Sequence, residues 1–156
     1  MHWIALLFWI VLCLSVGFLG SRWTATEIPI WYKNLVRPAI APPNRLFAPV
    51  WTLLYLLMAV AVWLVLSAAD VSQCHLALAL FLVQLALNFA WSWIFFARHQ
   101  IGAALVEIVL LWLAIGVTTL RFYSISPLAA GLMLPYWAWV SFATVLNEEF
   151  WRLNRD

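Results

Sequence analysis

Four apolar runs, each 22 to 25 residues long, restrict what this chain can become: 43–66, 75–96, 101–122 and 127–151. A shorter run, 3–20, precedes them. About 20 apolar residues cross the hydrocarbon core of a bilayer as a helix. Backbone groups in lipid must bond one another, which leaves helices or closed barrels. The period-two alternation of a barrel is absent. The expected fold is therefore an all-α integral membrane bundle of five transmembrane helices, one domain over 1–156. Composition agrees: 9% of residues are charged, against about 25% in soluble domains. The run 3–20 has no Lys or Arg at its start and no small-x-small cleavage site, so it reads as a retained helix rather than a signal peptide. The net charge of +2 says little about partners beyond the lipid bilayer, and no nucleic-acid partner is expected.

One stretch does not belong in lipid. WYKNLVRPAIAPPNRLFAPVW, residues 31–51, carries Lys33, Arg37 and Arg45 with Pro38, Pro42, Pro43 and Pro49. Proline fixes φ, and it pushes the residue before it towards extended conformations. Residues 21–42 are thus expected as an ordered Pro/Trp-rich loop over the mouth of the bundle, with Pro43 opening the second helix. The other connections are short polar turns at 67–74, 98–100 and 124–127. Lys and Arg concentrate on the side of the long loop and the C-terminus, with only Arg121 opposite. For insertion in an inner membrane, the positive-inside rule then puts the C-terminus in the cytoplasm and the N-terminus outside.

Three helices carry inward-facing stripes. In the third, Gln84, Asn88, Trp91 and Phe95 recur at helical spacing. A polar group at that depth normally faces the bundle interior, and Asn88 reads equally as a ligand-orienting amide or as an interhelical hydrogen bond. In the second, Trp51, Tyr55 and Met58 share a face. In the fifth, Tyr136, Trp139, Ala143, Leu146 and Phe150 do, with Ala143 small among large neighbours. Together they describe either a tightly packed aromatic core or an apolar cavity for a flat hydrophobic ligand. Trp63 and Val140 are expected on outward faces. Glu107, about 9 Å into the fourth helix, is expected to reach the headgroups. Ala86 and Ala90 form a small-xxx-small pair, extended by Ala79 and Val83, that permits close approach of a second copy.

Twelve tryptophans exceed what an interfacial aromatic belt requires. No phosphate loop, nucleophile elbow, HExxH or CxxC is present. His2, His75 and His99 sit near the membrane surfaces, so no metal site is expected. Cys13 and Cys74 fit no metal or disulfide pattern. No acid–base pair converges, and enzyme chemistry is unsupported by the residues.

WYKNLVRPAIAPP with VWTLLY, then LNFAWSWIFF, then SPLAAGLMLPYWAWVSFATVLN, resemble the tryptophan-rich sensory protein / translocator protein family, also called the peripheral benzodiazepine receptor family. The resemblance runs from the first helix to the tail. It implies a five-helix bundle, usually dimeric, with a pocket near the long loop. Such pockets take porphyrins, including protoporphyrin and haem as ligand rather than obligatory cofactor, and isoquinoline or benzodiazepine-type compounds. By position, the pocket would include Trp31 and Tyr32. Pro42 and Pro43 would form its lid. Trp51 and Tyr55 would form one wall, Asn88, Trp91, Phe95 and Phe96 another, and Trp139, Ala143 and Leu146 would close it. A homodimer through Ala86 and Ala90 is implied likewise.

Two departures stand out. Ala39 and Ile40 follow Pro38 where the family commonly has a tryptophan, which removes an aromatic from the lid. Glu148 follows Asn147 where a cholesterol motif needs tyrosine, although Arg152 is kept, so sterol recognition is unsupported. The function implied is a membrane receptor or sensor of tetrapyrroles, regulating tetrapyrrole or stress responses. Two alternatives remain: a transporter of porphyrins, and light-dependent porphyrin degradation with Trp51 and Trp139 as candidate catalytic residues.

Overall fold

The computed structural model describes residues 2–155. Its five helices are α1 (His2–Glu27), α2 (Phe47–Ala68), α3 (Val71–Ser92), α4 (Ile101–Tyr123) and α5 (Pro127–Leu153). All five are long and apolar enough to cross a membrane, and the described residues contain no strand. The protein is an all-α, multi-pass membrane bundle with an ordered loop between α1 and α2. Around the bundle each helix packs on its neighbour in the order α1, α2, α5, α4, α3 and back to α1.

The helix ends follow local chemistry. α1 runs seven residues beyond the expected end at Gly20, so the first third of the anticipated loop is helix. Nothing in SRWTATE breaks a helix; Pro29 is the first residue that does, by disfavouring helical geometry just before it. Pro43 opens a single 3-10 turn, Asn44–Leu46, and α2 proper starts at Phe47. Pro49 has no N–H to return to the Arg45 carbonyl, so the regular ladder cannot start earlier. α3 starts at Val71, which makes the turn before it far shorter than expected and puts Cys74 inside the helix. At α5, Ser126 accepts from the Ala129 N–H at 3.3 Å and Pro127 takes the first helical position, a regular N-terminal arrangement.

The end of α3 departs from α geometry. Trp93–Ala97 forms a π-turn, in which the Arg98 N–H reaches back to the Trp93 carbonyl at 3.0 Å. The added residue turns two consecutive aromatics, Phe95 and Phe96, into the bundle, and both are buried. Such turns recur at functional sites. The chain then reverses through His99, whose φ of 54° is the left-handed conformation. Its imidazole bonds Glu27 Oε2 at 2.9 Å and stacks on Trp31 at 4.2 Å.

The core has two parts. Phe81, Phe122, Met58, Val62 and Met133 fill the end away from the loop. Tyr32, Phe95, Phe96, Leu146 and Phe150 cluster at the loop end. The loop is pinned there: the Val36 N–H donates to Asn154 Oδ1 at 2.9 Å and Asn154 Nδ2 donates to the Val36 carbonyl at 3.1 Å. Arg37 stacks over Tyr32 and donates to the Pro42 carbonyl at 2.9 Å. At the opposite end Trp3 stacks on Trp63, whose indole donates to the His2 carbonyl at 2.9 Å, as membrane-interface aromatics do.

Gly17 allows α1 and α2 to touch. A Cβ there would overlap the ring of Tyr55, which is buried and hydrogen-bonded and so has nowhere to move. Gly131, exposed on α5, has no neighbour within 4 Å of its virtual Cβ. Gly17→Ala is therefore expected to destabilise the bundle by about 1–3 kcal/mol through overpacking. Gly131→Ala should stabilise it by about 0.5–1 kcal/mol through helix propensity. Thermal melts in detergent, followed by circular dichroism, check both; equal shifts would contradict the α1–α2 contact.

Candidate functional site: an aromatic cavity in the bundle

A cavity of about 300 Å³ lies in the loop-end half of the bundle, at the lower end of the range for ligand sites. Its floor is a chain of hydrogen bonds. Tyr55 Oη donates to Asn88 Oδ1 at 2.6 Å, Asn88 Nδ2 donates to Tyr136 Oη at 2.9 Å, and Tyr136 Oη donates to Gln84 Oε1 at 2.8 Å. One amide thus joins α2, α3 and α5. Its side chain is 4% exposed and lines the cavity. The two readings of Asn88 meet here: it ties the helices and also faces the space.

The walls are aromatic. α2 supplies Trp51 and Tyr55, α3 supplies Asn88 and Trp91, and the π-turn supplies Phe95 and Phe96. Trp91 stacks on Phe95 at 5.0 Å, and its indole donates to Asn147 Oδ1 at 2.9 Å. Asn147 Nδ2 in turn donates to the Ile101 carbonyl at 3.0 Å, tying α5 to the start of α4. α5 contributes Trp139, Ala143 and Leu146, and the loop contributes Tyr32. Tyr32 is 3% exposed. Burial pushes its phenol above the ordinary range, and the Arg37 guanidinium offsets this in part. No charged side chain lines the cavity among the described residues.

Three residues carried over by position lie elsewhere. Trp31 stands behind the wall, edge-on to Phe95 at 5.7 Å and stacked on His99. Pro42 and Pro43 are outside the lining; Asn44, Phe47 and Ala48 hold that place, because the 3-10 turn carries the prolines outward. Pro43 is exposed and Pro42 half-buried. Ala39 and Ile40 are exposed too, and neither lines the cavity. Val140 faces inward, fully buried, and lines the cavity, because α5 is covered by α2 on one side and α4 on the other.

Glu107 does not reach the headgroups. It is 7% exposed, and neither carboxylate oxygen has a hydrogen-bond partner among the described residues. It shares a helical face with Thr118, which is also buried and donates to the Leu80 carbonyl of α3.

The reading of the residues missed the α1 wall: Gly17, Ser21, Thr24 and Ala25 all line the cavity. α1 is nearly uniformly apolar and shows no polar stripe. The available signal was Gly17, Ser21 and Ala25 at four-residue spacing, a row of small side chains on one face.

Fold and site together define a helical integral membrane protein with an uncharged aromatic cavity inside its bundle. The chain belongs to the TspO/MBR family, whose model matches residues 9–152. It is 43% identical to the tryptophan-rich protein TspO of Chlorobaculum tepidum, over 92% of this chain and 91% of that one. It is 42% identical to the human translocator protein, over 90% and 85% respectively, and 34% identical to the tryptophan-rich sensory protein of Cereibacter sphaeroides, over 99% and 94%.

Asn88→Leu should cost about 1–3 kcal/mol by orphaning the Tyr55 hydroxyl. Adding Tyr55→Phe removes that orphan, so the double variant should be less destabilised than the sum of the two single ones. Additive losses in chemical or thermal unfolding would mean the pair does not couple.

Proposed function

We propose that this protein is a membrane receptor for flat, largely apolar tetrapyrroles such as protoporphyrin, bound in the aromatic cavity as a ligand that regulates tetrapyrrole or stress responses. The observation that carries this is the lining itself: stacked aromatic rings, three amides and, among the described residues, no charge, which suits a planar guest held by stacking and burial. Relatives named tryptophan-rich sensory protein and translocator protein support the same reading. Isoquinoline and benzodiazepine-type compounds suit the same walls. No cofactor is required. No histidine is among the lining residues, so free-base protoporphyrin and haem should bind alike.

Trp51 and Ala143 are the discriminating positions. Trp51→Ala removes stacking and burial worth about 2–4 kcal/mol of affinity. Ala143→Thr adds bulk to the wall and should weaken binding. Trp63→Phe, at the far end against Trp3, should be neutral. Tryptophan quenching by protoporphyrin measures all three; equal losses at Trp63 and Trp51 would overturn the assignment. Illumination of the complex separates binding from chemistry: a new absorbing product that tracks with wild-type protein and is lost with Trp51 or Trp139 would favour degradation over sensing.

The protein acts as a homodimer through α3 in this proposal. Ala79, Val83 and Ala86 are exposed on one face of α3, with Ala90 half-buried beside them, and small side chains permit close helix approach in lipid. The loop end lies in the cytoplasm, since seven of the eight Lys and Arg residues cluster there. Ala86→Phe should convert the detergent-solubilised dimer to monomer by light scattering; an unchanged mass would rule this face out.

A further inference from the structure

We infer that the cavity is entered sideways from the membrane, through a slot between α1 and α2 at the boundary of hydrocarbon and headgroups. The inference rests on reading the cavity as a ligand site, and it names the phase from which the ligand comes: the bilayer interface rather than water.

Of all the residues that line the cavity, only Ser21, Ala25 and Ala48 are exposed. All three lie on the seam between α1 and α2, and all three are small. Deeper along the same seam the gap is shut, because Gly17 packs directly on the Tyr55 ring. The loop side and the floor are covered as well. From the loop side Tyr32 covers the cavity, packed on Phe150 at 5.3 Å and Phe96 at 5.8 Å. The loop that carries it is tied to α5 by the paired Val36–Asn154 bonds. From below, Asn88 and the two tyrosine hydroxyls form the floor.

The depth of the slot follows from the helix. Ser21 stands nineteen residues beyond His2, about 28 Å along α1 at 1.5 Å per residue, against a hydrocarbon core of about 30 Å. Arg22 follows it directly, and Trp23 packs on Phe89 at 5.1 Å, as befits the interfacial layer. The rim makes no polar demand: Ser21 Oγ already donates to the Phe18 carbonyl at 2.7 Å. A planar ring that enters edge-on between Ser21 and Ala48 meets no charged side chain among the lining residues, and its own polar substituents can stay among the headgroups.

Access can be read without any tetrapyrrole. Ala143→Cys places a thiol on the cavity wall of the full-length protein in lipid vesicles, with Cys13→Ala and Cys74→Ser removing the native thiols. The probes are N-(1-pyrenyl)maleimide, which is flat and partitions into lipid, and a membrane-impermeant cationic methanethiosulfonate. The slot is plugged from α2 by Ala48→Trp and, independently, from α1 by Ser21→Phe; circular dichroism identifies which plugged variant is folded. Labelling by the pyrenyl reagent should slow by about tenfold or more in a folded plugged variant, while labelling by the cationic reagent stays slow throughout. A pyrenyl rate unchanged by either folded plug, a wall thiol that the pyrenyl reagent never reaches, or fast labelling by the cationic reagent would each overturn the lateral route. A protein that labels as expected but fails to quench with protoporphyrin keeps the slot and loses the tetrapyrrole reading, so the two failures are separable.

Discussion

The bundle depends on one amide that has no water to fall back on. In lipid, each polar side chain must find a partner inside the protein or carry the cost of remaining bare. Asn88 finds two, on α2 and α5, and Tyr136 passes the chain on to Gln84. These bonds fix how three helices sit about their axes. They hold the Tyr55 ring in place, and Gly17 brings α1 against that ring. A single polar node thus sets the rotation of four of the five helices, and it divides the close-packed half of the bundle from the hollow half.

Above the node the construction changes. The π-turn rotates Phe95 and Phe96 inward, and Asn147 bridges Trp91 to the start of α4. The loop is clamped by Asn154, Arg37 and the His99–Glu27–Trp31 contact. Most of the polar groups at this end are engaged in holding the frame. Among the described residues the walls are consequently uncharged and largely aromatic. Within the membrane-spanning helices, the Glu107 carboxylate and the Trp137 indole N–H are buried with no hydrogen-bond partner among the described residues.

Membership of the TspO/MBR family extends across proteins named for sensing and for translocation. In the loop of this chain, Ala39 and Ile40 are exposed and outside the lining.

The sequence alone determined that the chain crosses the membrane five times, because unbroken apolar length answers directly to bilayer thickness. The rare polar residue Asn88 marked the side of α3 that is buried, since a polar group in lipid seeks the bundle interior. The sequence could not determine the same for α1, where uniform apolarity carries no phase, nor the fate of Pro42, Pro43, Val140 and Glu107. Proline's stiffness says that the loop is ordered but not which way it points. Whether Val140 or Glu107 is covered depends on which helices pack beside it, a property of the assembled bundle rather than of its own helix. Only the tertiary structure decided that the small residues of α1 and Ala48 of α2 line one cavity, because a cavity belongs to several helices at once.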